Sequence, residues 1–88
     1  MKVKENFVLR QVADSWVVLP LGGAAIDFDG MLTLNEAGML LWKALEQGCE
    51  RKELAAVLMK EYIVKPEQAL EDVEAFVSRL VQVGCVEE

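Results

Sequence analysis

Met31-Leu32-Thr33-Leu34-Asn35-Glu36 is where the chain changes character. The first four residues alternate apolar and polar weakly and hold a β-branched threonine, which suits a short strand. Asn35 is a good N-cap, and Glu36 places a carboxylate in the first turn, where the positive end of a helix dipole favours it. The segment therefore predicts a strand running directly into a helix, with extended structure before it and helices after it.

Upstream, Phe7-Val8-Leu9-Arg10-Gln11-Val12 and Trp16-Val17-Val18-Leu19-Pro20-Leu21 read as two strands. Ala13-Asp14-Ser15 between them is short and polar enough for a hairpin connection. Pro20 should end the pairing or sit at an edge, because it has no N–H to donate. Gly22-Gly23 then punctuates the chain, residues 25–28 form a candidate extended piece, and Asp29-Gly30 is a turn signal. The expected result is a small antiparallel meander whose register after Gly22 is open.

Downstream, three helices are expected. Ala37, Leu40, Leu41, Ala44 and Leu45 make one apolar stripe at helical spacing, with Trp42 off its centre and Gly48 as the stop. A second helix runs from about Glu50 to Tyr62, with Leu54, Val57, Leu58 and Tyr62 inward. A third begins at Pro66, a favoured first-turn residue, and ends at Gly84. Its core direction is set by Leu70, Val73, Val77, Leu80 and Val81. No linker or repeat divides the 88 residues, so residues 1–88 are expected to form one domain. The fold class is α+β, winged-helix-like: a small three-stranded antiparallel sheet followed by three helices.

Composition narrows the function classes. The chain is 53% apolar and 27% charged, which is globular rather than disordered. It has no histidine, so the commonest general base and metal ligand is missing. Cys49 and Cys85 have no readable base beside them, no CxxC pairing, and read as reduced, buried small residues. Gly22-Gly23 lacks the surroundings of a phosphate loop. No catalytic residue, metal site or cofactor is expected, and the chain reads as a non-enzyme. Nothing at the start resembles a signal peptide, and no apolar run approaches the roughly 20 residues of a membrane span, so a cytoplasmic protein with no membrane contact is expected.

The formal charge of −6 is uneven. Residues 1–34 hold three bases against four acids, and residues 35–88 hold six against eleven. Helices two and three, joined through Ile63-Val64-Lys65, have the look of a winged-helix DNA reader. The outward positions of the third helix, however, are Glu67, Gln68, Glu71, Glu74, Ser78 and Gln82. Three glutamates facing phosphates repel them, so no nucleic-acid partner is expected. The same helix has an apolar arc wider than one core stripe needs. Ala69, Phe76 and Val83 repeat every seven residues on one flank, and Asp72 and Arg79 lie just beyond. Either Phe76 packs into the core, or this flank is the wall of a groove beside a sheet edge, where a peptide adds as a strand.

The run Asp27-Phe28-Asp29-Gly30-Met31-Leu32-Thr33-Leu34-Asn35-Glu36, followed by Gly38 and Leu41-Trp42, resembles the "xLNxxGxxLW" core of the PqqD-like family. Glu61-Tyr62-Ile63-Val64, Ala69, Asp72-Val73, Phe76-Val77, Leu80 and Gly84 are similar to its C-terminal half. The resemblance implies a peptide chaperone, a recognition element for ribosomally made and post-translationally modified peptides. Such a domain binds a precursor's leader as an added strand between the third strand and the third helix. It presents the peptide to a maturation enzyme, often a radical S-adenosylmethionine enzyme. Carried onto this chain, the peptide-binding residues are Met31, Leu32, Thr33, Leu34, Ala69, Asp72, Phe76, Arg79 and Val83, with residues 26–28 as the alternative receiving strand. The shared motifs do not separate the pyrroloquinoline quinone (PQQ) pathway's own protein from relatives serving other peptide natural products. Two other readings stand beside it: a winged-helix DNA-binding regulator, and a structural module closing into a homodimer, with Gly22-Gly23 as a hinge for strand exchange.

Overall fold

The computed structural model describes residues 1–21 and 32–87. The segment expected as a third extended piece (25–28), the Gly22-Gly23 hinge, the Asp29-Gly30 turn and Met31 lie outside the described residues. Among the described residues the elements are, in order, β1 (Lys2–Val3), β2 (Phe7–Val12), β3 (Ser15–Pro20), β4 (Leu32–Leu34), α1 (Glu36–Gln47), α2 (Arg51–Glu61), α3 (Pro66–Val83) and β5 (Val86–Glu87). The expected α+β architecture is present: a three-stranded antiparallel sheet ordered β2-β3-β4, followed by three helices.

The β2–β3 hairpin pairs Phe7 with Pro20 and Val12 with Ser15, so Ala13 and Asp14 alone make the turn. Ala13 sits at φ 54°, in the left-handed region that a two-residue turn requires and that a Cβ disfavours. Strand β4 then pairs with β3, Trp16 opposite Leu34 and Val18 opposite Leu32. Its other edge has no strand partner among the described residues. Short strands explain a feature the periodicity did not reveal. Val3 pairs with Val86, and β1 and β5 make a separate two-stranded ribbon from the two ends of the chain. Two residues are too few to show alternation.

Asn35 caps α1 as expected, its Oδ1 accepting from the Gly38 N–H at 2.8 Å. Asn35→Ala is expected to lower stability by about 1 kcal/mol, read as a lower urea midpoint at unchanged slope. Helix α2 begins with a reciprocal box in which the Glu50 N–H donates to Glu53 Oε1 at 3.1 Å. Helix α3 opens on Pro66 and stops at Gly84, φ 79°, where the Cys85 N–H reaches back to the Leu80 carbonyl at 3.0 Å.

Two helices are turned about their axes relative to the expected faces. In α1 the buried residues are Gly38, Met39, Leu41, Trp42 and Leu45. Trp42, expected off the centre of the stripe, is fully buried and is the largest such side chain. Burying an indole removes more apolar area than burying Ala37 or Ala44, so the helix rotates to favour it. In α3 the inward residues are Ala69, Val73, Val77 and Leu80. Leu70 and Val81, expected in the core, are 42% and 44% exposed. The core is built by residues of the sheet and of all three helices. Val18, Trp42, Leu45, Leu54, Val73, Val77, Leu80 and Cys85 meet there with under 2% exposure each.

Candidate functional site

The rotation of α3 decides which of its residues face outward beside the sheet. Ala69 is wholly buried, so it is packing beneath the flank and offers no contact surface. Phe76 is half-buried, with Asp72, Arg79 and Val83 exposed around it. At 100° per residue these four lie on one flank of the buried stripe, and Leu70 and Val81 on the other.

Gly38 joins this flank to β4. A Cβ at Gly38 would lie 3.3 Å from Phe76 Cε1, 3.3 Å from Leu34 Cβ and 3.3 Å from Asn35 Oδ1. The phenyl ring therefore packs against the start of α1 beside the last residue of β4. Even a methyl group at position 38 would require the ring, Leu34 or Asn35 to give by a few tenths of an ångström. On β4 itself, Leu32 and Leu34 turn their side chains into the core, at 3% and 4% exposure. Thr33 alone faces outward. What this strand offers a ligand is its main chain, together with Thr33. Met31 lies outside the described residues.

Beyond the C-terminal end of β4 the surface deepens into a pocket of about 440 Å³. Leu41 of α1, Leu58 of α2 and Phe76 of α3 line it, with Val64 from the α2–α3 turn. Asn35, Asp72 and Tyr62 are its polar lining. The Tyr62 hydroxyl donates to Glu36 Oε1 at 2.9 Å, tying the end of α2 to the start of α1. That hydrogen bond to a carboxylate, with burial and the nearby charges of Glu36 and Glu61, raises the Tyr62 pKa. Asp72 Oδ1 accepts from Gln68 Nε2 at 2.9 Å. The sequence reading placed Tyr62 inward and Val64 in a turn, but nothing in their spacing announces that they share a pocket with Phe76.

The rest of the surface carries little chemistry. Among the described residues no cluster of three His, Cys, Asp or Glu side chains is placed to hold a metal ion. Burial pushes the Cys85 thiol up to about 11, against a smaller opposing pull from Lys4. Burial also raises Cys49, helped by Glu53. Both thiols are thus poor nucleophiles near neutral pH. The raised Cys85 value implies a pH dependence. The folded state keeps its proton while the unfolded chain releases it near 9.0, so this stabilisation is complete below about pH 9 and falls as pH climbs towards about 11. Urea midpoints measured from about pH 8 to about pH 10.5 are expected to fall less for Cys85→Ala than for the native chain.

The outward face of α3 is as acidic as the sequence implied. Glu67, Gln68, Glu71, Glu74, Ser78 and Gln82 are all exposed. Glu74 pairs with Arg51, Oε1 to Nε at 2.7 Å, an exposed pair that contributes little to stability. No helix among the described residues is long and apolar enough to cross a membrane.

Comparison with known proteins gives this geometry a setting. Residues 15–86 match the family model described as Coenzyme PQQ synthesis protein D (PqqD). Two solved structures share the fold. One is a lasso peptide synthetase B1 complexed with the leader peptide, with a TM-score of 0.78 at 23% identity, covering 99% of this chain and 96% of that one. The other is TbiB1 in complex with the TbiA(beta) leader peptide, with a TM-score of 0.74 at 23% identity, covering 99% of this chain and 100% of that one. No curated protein matches the sequence.

Proposed function

The chain belongs to the family of coenzyme PQQ synthesis protein D, and from that membership we propose that it binds the leader of a ribosomally made precursor peptide. The peptide adds as a strand to the open edge of β4 and lies against the Phe76 flank of α3. The observation that carries this reading is the convergence of Phe76, Leu34 and Asn35 around Gly38, which sets an apolar wall beside a strand edge that has no partner among the described residues. Both solved relatives described above hold a leader peptide, which supports the same reading.

Magnitudes show how such a site has to work. A three-residue strand offers few main-chain hydrogen bonds, each worth about 1 kcal/mol net. A micromolar complex needs about 8 kcal/mol. Main-chain pairing of so short a strand therefore falls short of that affinity alone, and side chains seated along Phe76, Val83 and the neighbouring pocket supply the rest. Arg79 and Asp72 supply opposite charges at the rim, which favour one register over its neighbours.

In this reading residues 1–88 act as one recognition domain that presents the peptide to a separate modifying enzyme, with a radical S-adenosylmethionine enzyme the proposed partner. The domain contributes no catalytic group. The acidic outward face of α3 argues against the winged-helix DNA reading, because Glu67, Glu71 and Glu74 stand there and the lone Arg79 on its flank is offset by Asp72.

A titration of isotope-labelled chain with the leader encoded beside its gene tests the assignment. Backbone amides of residues 32–34 and of α3 around Phe76 are expected to shift together. Shifts that avoid both elements would remove the groove.

A further inference from the structure

Resting on the leader-binding reading, we propose that the pocket at the C-terminal end of β4 seats a basic side chain of the bound peptide, a lysine or an arginine. Three observations converge on it. The pocket continues the groove, because Asn35 directly follows β4 and Phe76 belongs to both. Its floor is apolar, built by Leu41, Leu58 and Val64 with Phe76. Its polar lining carries the Asp72 carboxylate, while Glu36 is held to the lining residue Tyr62. No lysine or arginine lines it.

An apolar floor under an acidic mouth suits a side chain with a long aliphatic stem and a cationic head. The stem lies along the floor and the head stays in water between carboxylates. A purely aliphatic or aromatic residue gains the floor but offers the carboxylates no opposite charge. An acidic residue is repelled. Asp72 spends one oxygen on Gln68, and the carboxylate has further lone pairs to offer. Glu36 likewise accepts one bond from Tyr62 and has capacity left. The protein's net charge of −6 draws the same kind of peptide from a distance.

Random twelve-residue peptides displayed on phage and selected on the full chain test this. Selected peptides are expected to carry Lys or Arg at one fixed position, and to shift the amides of Gly38, Val64 and Ala75 together with those of β4. Replacing that base by norleucine, or substituting Asp72→Asn in the protein, is expected to weaken binding about three- to fivefold, the scale of a solvent-exposed ion pair. Asp72 is exposed, so the substituted chain remains folded. Peptides that shift β4 without any basic preference, or whose affinity ignores Asp72→Asn, overturn the proposal and leave strand addition standing. Selected peptides that move neither β4 nor α3 overturn the leader-binding reading as well.

Discussion

Trp42→Ala is expected to destabilise the chain more than any other single truncation of its core, by about 3–5 kcal/mol. The indole is fully buried and is the largest of the wholly enclosed side chains. Truncating a buried tryptophan to alanine costs about 3–5 kcal/mol, the lost transfer energy plus the cavity left behind. A domain of this size has a total stability of roughly 4–13 kcal/mol, so the loss takes from about a quarter to all of it. Thermal unfolding followed by circular dichroism is expected to show a midpoint lower by at least 12 °C, on the scale of about 4–8 °C per kcal/mol for small domains. Trp42→Phe provides the contrast. The Trp42 Nε1–H is buried without a hydrogen-bond partner among the described residues. A phenyl ring sacrifices some packing but removes that unpaired donor, whose burial itself costs about 1–3 kcal/mol. The phenylalanine variant is therefore expected to stay folded, well above the alanine variant.

The second large effect is on binding. Phe76→Ala is expected to weaken a leader peptide by about 2 kcal/mol, roughly thirtyfold in Kd, as a central aromatic anchor does. Calorimetric titration measures it. The folded fraction is checked separately, because Phe76 is only half-buried and its loss is smaller than that of a core residue. Leu70→Ala is the control. Leu70 is similarly apolar and 42% exposed, but it lies on the other flank of α3. It is expected to leave the affinity unchanged. Equal losses from the two substitutions would mean that the groove flank has no special part in binding.

How much of this was legible in the sequence follows from the length scale of each signal. Helix α3 announced both its ends, through Pro66 and Gly84, and the β2–β3 hairpin announced itself through two dense runs of β-formers. The rotation of α3 was not legible. Leu70 and Ala69 are neighbours, and hydrophobicity alone favours the leucine as the inward residue. Packing favours the alanine, because a buried helix flank set close to its neighbours takes small residues. The same competition hid Trp42, whose volume matters more than its position on the stripe. Phe76 was readable as either core or groove; the ring is half-buried and packs at Gly38 beside Leu34, and its place in a groove belongs to the proposal. The pocket was beyond reach, since Tyr62, Val64 and Asp72 come from an α2 terminus, a turn and a helix, and no periodicity links them.

The ribbon of β1 and β5 makes the two ends of the chain one mechanical unit. Closing the loop between Val3 and Val86, positions 83 apart, costs about 4 kcal/mol in chain entropy before any constant is added. Two-residue strands cannot offset that through their own hydrogen bonds, at about 1 kcal/mol each. What holds the clasp shut is the core already assembled beneath it, into which Val3, Cys85 and Val86 are packed. The clasp thus rests on the core rather than holding it together. Since the Lys4 N–H donates to the Cys85 carbonyl at 2.8 Å, neither end can fray without loosening the other. Trimming or tagging one terminus is an intervention at both.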